Sequence, residues 1–277
     1  KSRTNKLLVP CTIGLFVFHF IQGYLNMSLS IAEELKVPPA IKYLIMVLSG
    51  QGVLWYIQML WLFSMALLLI RKIEKDRLWH ICTKTSLPVL ILLSLLFFGA
   101  GQVGNTPIIC VYRFGLYFVA FLLGYFVFSH DEVINILKKY FWILLVIALA
   151  LGIAFCIIYF GKNYGDKPVN RTPLFLFYGY FGSLAMLGGF AKYFDFETKI
   201  TKWMNAHSFG LYIFHYLGIS VVAYFIAAPK LLPPVAVYAL SLVSAFTFGY
   251  VLFEIISRIP FFRWAVLGIK KNKKKEE

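Results

Sequence analysis

Polar and ionisable side chains inside apolar stretches are where this sequence can do chemistry, and they are few. Arg113 stands in the apolar run 108–128, about 8 Å inside its outer end at about 1.5 Å per residue. At that depth the guanidinium either snorkels to the headgroups or serves as a fixed cation for an anionic group or a carbonyl oxygen. His19 and Gln22, three residues apart, share a helical face, and the pairs Trp55 with Gln58 and Tyr212 with His215 repeat that spacing. A histidine so placed can take the proton of a hydroxyl, and an amide or guanidinium can steady the oxyanion that follows. The plainer reading of each pair is a hydrogen bond to a neighbouring helix. Together with Gln102 and Arg113, the first two pairs are expected to line a polar cavity that opens outward. Glu254 and Arg258, four apart in the favourable order, read as a structural ion pair at the inner boundary.

The elements that position these groups follow from composition. Of 277 residues, 60% are apolar and 14% charged, against about 45–50% and about 25% in ordinary globular chains. This excludes a soluble domain, a disordered chain, a collagen and a disulfide scaffold. Eight runs approach the roughly 20 residues needed to cross the bilayer as a helix. They are 7–25, 52–70, 87–101, 108–128, 140–160, 173–191, 208–228 and 234–256, the third being the shortest. Their continuous Leu, Ile and Phe lack the in–out alternation of a barrel, and an isolated strand would leave backbone donors unpaired in lipid. The expected fold is all-α, a polytopic transmembrane helix bundle.

The connections on one side of these eight runs carry 20 Lys and Arg and those on the other side 6, which places both visible termini in the cytoplasm of a multi-pass plasma (inner) membrane protein. The net charge of +15 is therefore topology rather than a sign of nucleic acid. No linker divides the chain, so 1–277 reads as one membrane domain, with 258–277 as a cytoplasmic interfacial segment and basic tail beside anionic headgroups. Pro10, Pro88, Pro107 and Pro173 are expected at helix starts, and Pro38-Pro39 and Pro233-Pro234 in outer loops. Cys11, Cys82, Cys110 and Cys156 lack metal or redox spacing, and no metal site is expected; a Cys110–Cys156 disulfide is chemically allowed on the outer side. The sequons at Asn26 and Asn170 also face outward. There is no phosphate-binding loop, dinucleotide fingerprint, zinc-protease motif or nucleophile elbow, so transport driven by ATP on this chain alone is not expected. A start on Lys1, directly ahead of an apolar run, reads as a chain whose upstream residues, two helices by the parity of the termini, are not included.

Four segments resemble the integral-membrane acyltransferase-3 family, whose members acylate surface sugars and related acceptors. Lys1-Ser-Arg3-Thr-Asn-Lys6-Leu-Leu-Val-Pro10 is similar to its basic cytoplasmic loop entering a Leu-rich helix, and Gly52-Val-Leu-Trp55-Tyr56 to its Leu-Trp-Phe-type helix opening. Arg113-Phe-Gly-Leu-Tyr-Phe-Val-Ala-Phe121-Leu-Leu-Gly124-Tyr125 resembles its Phe-x-x-Gly-Tyr helix, and Ser208-Phe-Gly-Leu-Tyr212-Ile-Phe-His215 its Ser-x-x-x-Tyr-Leu-x-His helix. The family's first helix carries an Arg and a His that act in catalysis; no visible helix presents them, so the resemblance places the catalytic His upstream. Its Arg-x-x-Arg element is met here by Arg3-x-x-Lys6, which gives up one bidentate fork.

The resemblance implies an acyltransferase with acyl-CoA, acetyl-CoA among the candidates, as co-substrate, no bound cofactor, and a sugar or glycan hydroxyl as acceptor. Arg3 and Lys6 would meet the nucleotide end, and Trp55, Gln58 and Tyr212 would contact substrate. Arg113 would support the oxyanion, with His215 and His19 as the visible alternatives to an upstream base. The competing expectation is a transporter or flippase of a lipid-linked saccharide or acyl group, which a short third span and an outward polar cavity also fit.

Overall fold

A computed structural model describes residues 2–28, 37–103, 113–165 and 168–269. Among these residues every regular element is helical and no strand occurs, as the sequence requires. Thirteen α-helices are described: α1 Ser2–Leu7, α2 Phe20–Ser28, α3 Pro39–Ser49, α4 Leu54–Glu74, α5 Arg77–Cys82, α6 Leu87–Val103, α7 Phe114–Phe126, α8 Asp131–Lys139, α9 Phe141–Tyr159, α10 Pro173–Tyr193, α11 Lys199–Val222, α12 Pro234–Arg258 and α13 Pro260–Leu267.

Five helical stretches are long and apolar enough to cross a bilayer: Leu54–Glu74, Phe141–Tyr159, Pro173–Tyr193, Lys199–Ala227 and Pro234–Arg258. A sixth is reached if α7 and α8, bent by 103° at their break, count as one. The remaining two of the eight expected spans fall short. The third is the 17-residue α6. The first is interrupted: α1 ends at Leu7, a run of turns follows, and the chain resumes as a π-helical segment, Leu15–His19, before α2. Pro10 lies inside that run of turns and not at a helix start, because proline cannot donate to the ladder and its ring opposes a continuous helix. Pro39 likewise does not sit in a loop; it opens α3, an apolar helix within what reads as an outer connection. Pro234 in the same way opens α12 instead of lying in a loop, while Pro88 and Pro173 stand in first turns as expected and Pro107 lies outside the described residues.

The chain forms two compact units, residues 1–62 with 197–277 and residues 63–196. In the first, α11 and α12 make the most extensive helix pair, α2 lies against α3 and α11, and α13 against α12. α11 begins nine residues before the expected span because Thr198 and Thr201 form a reciprocal capping box: the Thr198 hydroxyl accepts from the Thr201 N–H at 3.1 Å, and the Thr201 hydroxyl from the Thr198 N–H at 2.8 Å. Gly218 lets the α11 and α12 backbones approach, since a Cβ there would meet the Ser244 carbonyl oxygen at 2.6 Å. The segment expected at the inner interface becomes α13, whose Ala265, Val266 and Leu267 are fully buried with Cys11, Leu15 and Phe214.

In the second unit α10 is central, packed on α6, α8 and α9, while α6 also packs on α7. α8 is amphipathic by design of its sequence: Asp131 and Glu132 occupy the first turn, Lys138 and Lys139 the last, and Val133 and Leu137, four apart, are fully buried. α9, apolar on every side, leaves Trp142, Val146 and Ile157 exposed, as a lipid-facing helix does.

Candidate active site

His215 lies sixteen residues into α11, about 24 Å from its start and so deeper than the expected start at 208 would place it. Its Nδ1 is 2.7 Å from the Tyr212 carbonyl oxygen and 3.2 Å from that of Leu211. A carbonyl only accepts, so Nδ1 carries the proton and Nε2 keeps the lone pair. No partner for Nε2 occurs among the described residues. The ring lines a cavity of about 540 Å³ between α11 and α12, whose other walls include Leu211, Ile219, Tyr238, Leu242 and Phe246. An apolar recess beside an imidazole with a fixed tautomer and a free lone pair can hold an acyl chain next to a base.

Tyr212 borders the same recess, but its hydroxyl donates to the Val53 carbonyl at 2.5 Å and so ties α11 to the turn before α4. The Gln58 amide is also committed: Nε2 donates to the Cys11 carbonyl at 3.1 Å, and Oε1 accepts from Gln51 at 2.6 Å. Gln58 thus braces the turns around Pro10. Trp55 stands edge-on to Tyr56 at 5.8 Å, and Tyr56 is 6.4 Å from the Tyr212 ring.

His19 is buried in the π-helical segment, stacked on Phe214 at 6.3 Å, and its Nε2 has no hydrogen-bond partner among the described residues. Gln22 donates to the Ser220 hydroxyl at 2.5 Å and to Asn26 Oδ1 at 2.9 Å, while Asn26 donates to the Ser49 carbonyl at 3.0 Å. The plain reading therefore holds for Gln22, which bonds a neighbouring helix. Arg3 and Lys6 are exposed on α1, whose Asn5–Lys6 backbone is approached by Gly268 at the end of α13.

Arg113 and Gln102 belong to the second unit. Arg113 donates to the Gly165 carbonyl at 2.8 Å, and its guanidinium lies 5.6 Å from the centre of the Phe175 ring; Gln102 donates to the Arg171 carbonyl at 2.7 Å. Both therefore bond backbone carbonyls, of Gly165 and of Arg171. The sequon amides serve the same kind of internal bonding: Asn170 is buried and donates to Gly165. Cys11, Cys82 and Cys156 carry free thiols, and Cys110 lies outside the described residues. No cluster of metal-ligating side chains occurs among the described residues.

The ion pair between Glu254 and Arg258 forms as expected at 3.2 Å, and a partner that sequence spacing did not reveal joins it. His207 places Nε2 3.3 Å from Glu254 Oε1 and Nδ1 2.7 Å from the Trp203 carbonyl, with the Trp203, Tyr250 and Phe253 rings within 5.3 Å. The capping box at Thr198 was the available signal, since it moves His207 from a loop onto α11, opposite α12.

The architecture is that of a multi-pass helical membrane protein. A family model described as an acyltransferase domain matches residues 1–254, and the chain belongs to that family, the acyltransferase-3 family. It is accordingly a membrane acyltransferase. No curated protein and no solved structure matches the chain.

Proposed function

We propose that the protein is a plasma-membrane O-acyltransferase, with both described ends on the cytoplasmic side, that moves an acyl group from acyl-CoA to a hydroxyl of a sugar or glycan. The observation that carries this reading is His215, whose Nδ1 is tied to the Tyr212 carbonyl while Nε2 stays open beside an apolar recess. Nε2 takes the acceptor's hydroxyl proton as the oxygen attacks the thioester carbonyl. The new C–O bond forms, the C–S bond breaks, and the proton passes to the departing thiolate, giving the ester and free CoA. Arg3 and Lys6 receive the phosphates of acyl-CoA at the cytoplasmic end.

The test is incubation of the purified protein in lipid nanodiscs with radiolabelled acetyl-CoA and a glycan extract. Label is expected on glycan, and His215→Gln is expected to lower the rate about 100- to 10,000-fold without changing the thermal midpoint. Full activity of His215→Gln removes His215 from the chemistry. Vesicle uptake of label without covalent transfer makes the protein a carrier instead.

A further inference from the structure

A second cavity, of about 670 Å³, runs between α7 and α10 in the second unit. Its volume falls within the range of about 300–1,000 Å³ usual for ligand sites. The floor is α6, which packs on both flanking helices and contributes Phe97. Along α7 the wall is a helical stripe of Leu116, Ala120 and Gly124, with Arg113 just before the helix and Phe128 in the turn just after it. At about 1.5 Å per residue the helical part, from Leu116 to Gly124, is about 12 Å long.

Charge is confined to one end. Arg113 stands there, and its guanidinium gives one donor to Gly165 while its other N–H groups have no partner among the described residues. The N-terminal ends of α7 and α10 lie beside it and add positive potential. Further in, two of the polar groups are satisfied within the protein: the Tyr180 hydroxyl donates to the Leu90 carbonyl at 2.8 Å and the Ser183 hydroxyl to the Gly179 carbonyl at 2.8 Å. The walls also keep open space where a side chain would close it. A Cβ added at Gly124 or at Gly179, both of which line the cavity, would meet nothing within 4 Å.

One cation at the mouth and an apolar channel behind it match a molecule with a single anionic head and a long hydrocarbon tail. We infer that this cavity binds an anionic phospholipid, its phosphate on Arg113 and one acyl chain lying along the stripe to Phe128. The inference is independent of the acyl-transfer reading, because none of its residues is in the His215 recess and its readout is binding.

Native mass spectrometry of the whole chain, delipidated in detergent, tests it with dioleoylphosphatidylglycerol, with dioleoylglycerol, which has the same tails and no charge, and with glycerol 3-phosphate, which has the head and no tail. The charged lipid is expected to be retained about tenfold more than dioleoylglycerol, the effect of one charge-assisted contact, and glycerol 3-phosphate not at all. Arg113→Gln should bring the two lipids to parity. Gly124→Leu and, separately, Gly179→Leu should abolish retention of either, and folding is checked by the thermal midpoint. Equal retention of the two lipids by the unaltered protein overturns the assignment of the head to Arg113. Unchanged retention in both folded glycine variants overturns the cavity itself, and tight binding of glycerol 3-phosphate alone would show that the channel plays no part.

Discussion

Arg113 and Asn170 donate to one acceptor, the carbonyl oxygen of Gly165, each at 2.8 Å. A carbonyl has two lone pairs, so both bonds can be good at once, and together they tie Gly165 to Asn170 and to Arg113 at the start of α7. Asn170 is 3% exposed, and its amide nitrogen is the donor. Asn170→Ala leaves a buried acceptor half-satisfied and is expected to cost about 1 kcal/mol, read as a lower midpoint in thermal unfolding in detergent. The same burial predicts that Asn170 stays unglycosylated when the folded protein is made in a glycosylating host. A glycosidase-sensitive mass shift that Asn170→Gln removes would contradict this.

α2 and α3 touch backbone to backbone at Gly23. A Cβ there would collide with the Met46 carbonyl oxygen and come within 2.8 Å of the Gly50 nitrogen. Gly23→Ala must therefore push the helices apart, at about 1–3 kcal/mol, with a corresponding fall in the unfolding midpoint. Gly99→Ala is the matched control. Nothing lies within 4 Å of its added methyl, so only the helix propensity of α6 changes, in the stabilising direction by about 0.5–1 kcal/mol.

Gln22 and Ser220 are 198 residues apart in the chain and 2.5 Å apart in the fold. Polar bonds between membrane helices average about 0.6 kcal/mol and reach about 1.7. A double-mutant cycle with Gln22→Leu and Ser220→Ala should return a coupling in that range. Additive effects would show that the bond contributes nothing.

Outside the spans, Asp76 is the group with a clear pH signature. Arg71 grips its carboxylate with two bonds, Nε to Oδ1 at 2.7 Å and Nη2 to Oδ2 at 2.9 Å, and the hydrogen bonding holds the carboxyl below its ordinary value. A carboxyl lowered in the folded state stabilises that state at all pH above the ordinary carboxylate value of about 4, and the contribution is lost as pH falls through the lowered value. The midpoint difference between the unaltered protein and Asp76→Asn should be small and constant from neutral pH to about pH 5, then close in acid. A difference that instead grew in acid would reverse this sign.

What the sequence determined by itself is what depends on near neighbours and on solvent. Runs such as 140–160 and 173–191 become α9 and α10 almost to the residue, because in lipid each backbone group must find its partner within four positions. The Glu254–Arg258 pair was legible for the same reason, and so was the family, through short motifs that keep their order along the chain. Tertiary structure decided which polar groups are spent and which are left open. Gln58, Tyr212 and Gln22 looked as chemically able as His215, yet the first two are bound to carbonyls of Cys11 and Val53 and the third to Ser220. The docking of α3 on α2 through Gly23 and the capture of His207 by Glu254 were decided there too. Each joins groups far apart in the chain, and a hydrogen bond or a close helix crossing is fixed by where the partner backbone lies, which no local spacing encodes.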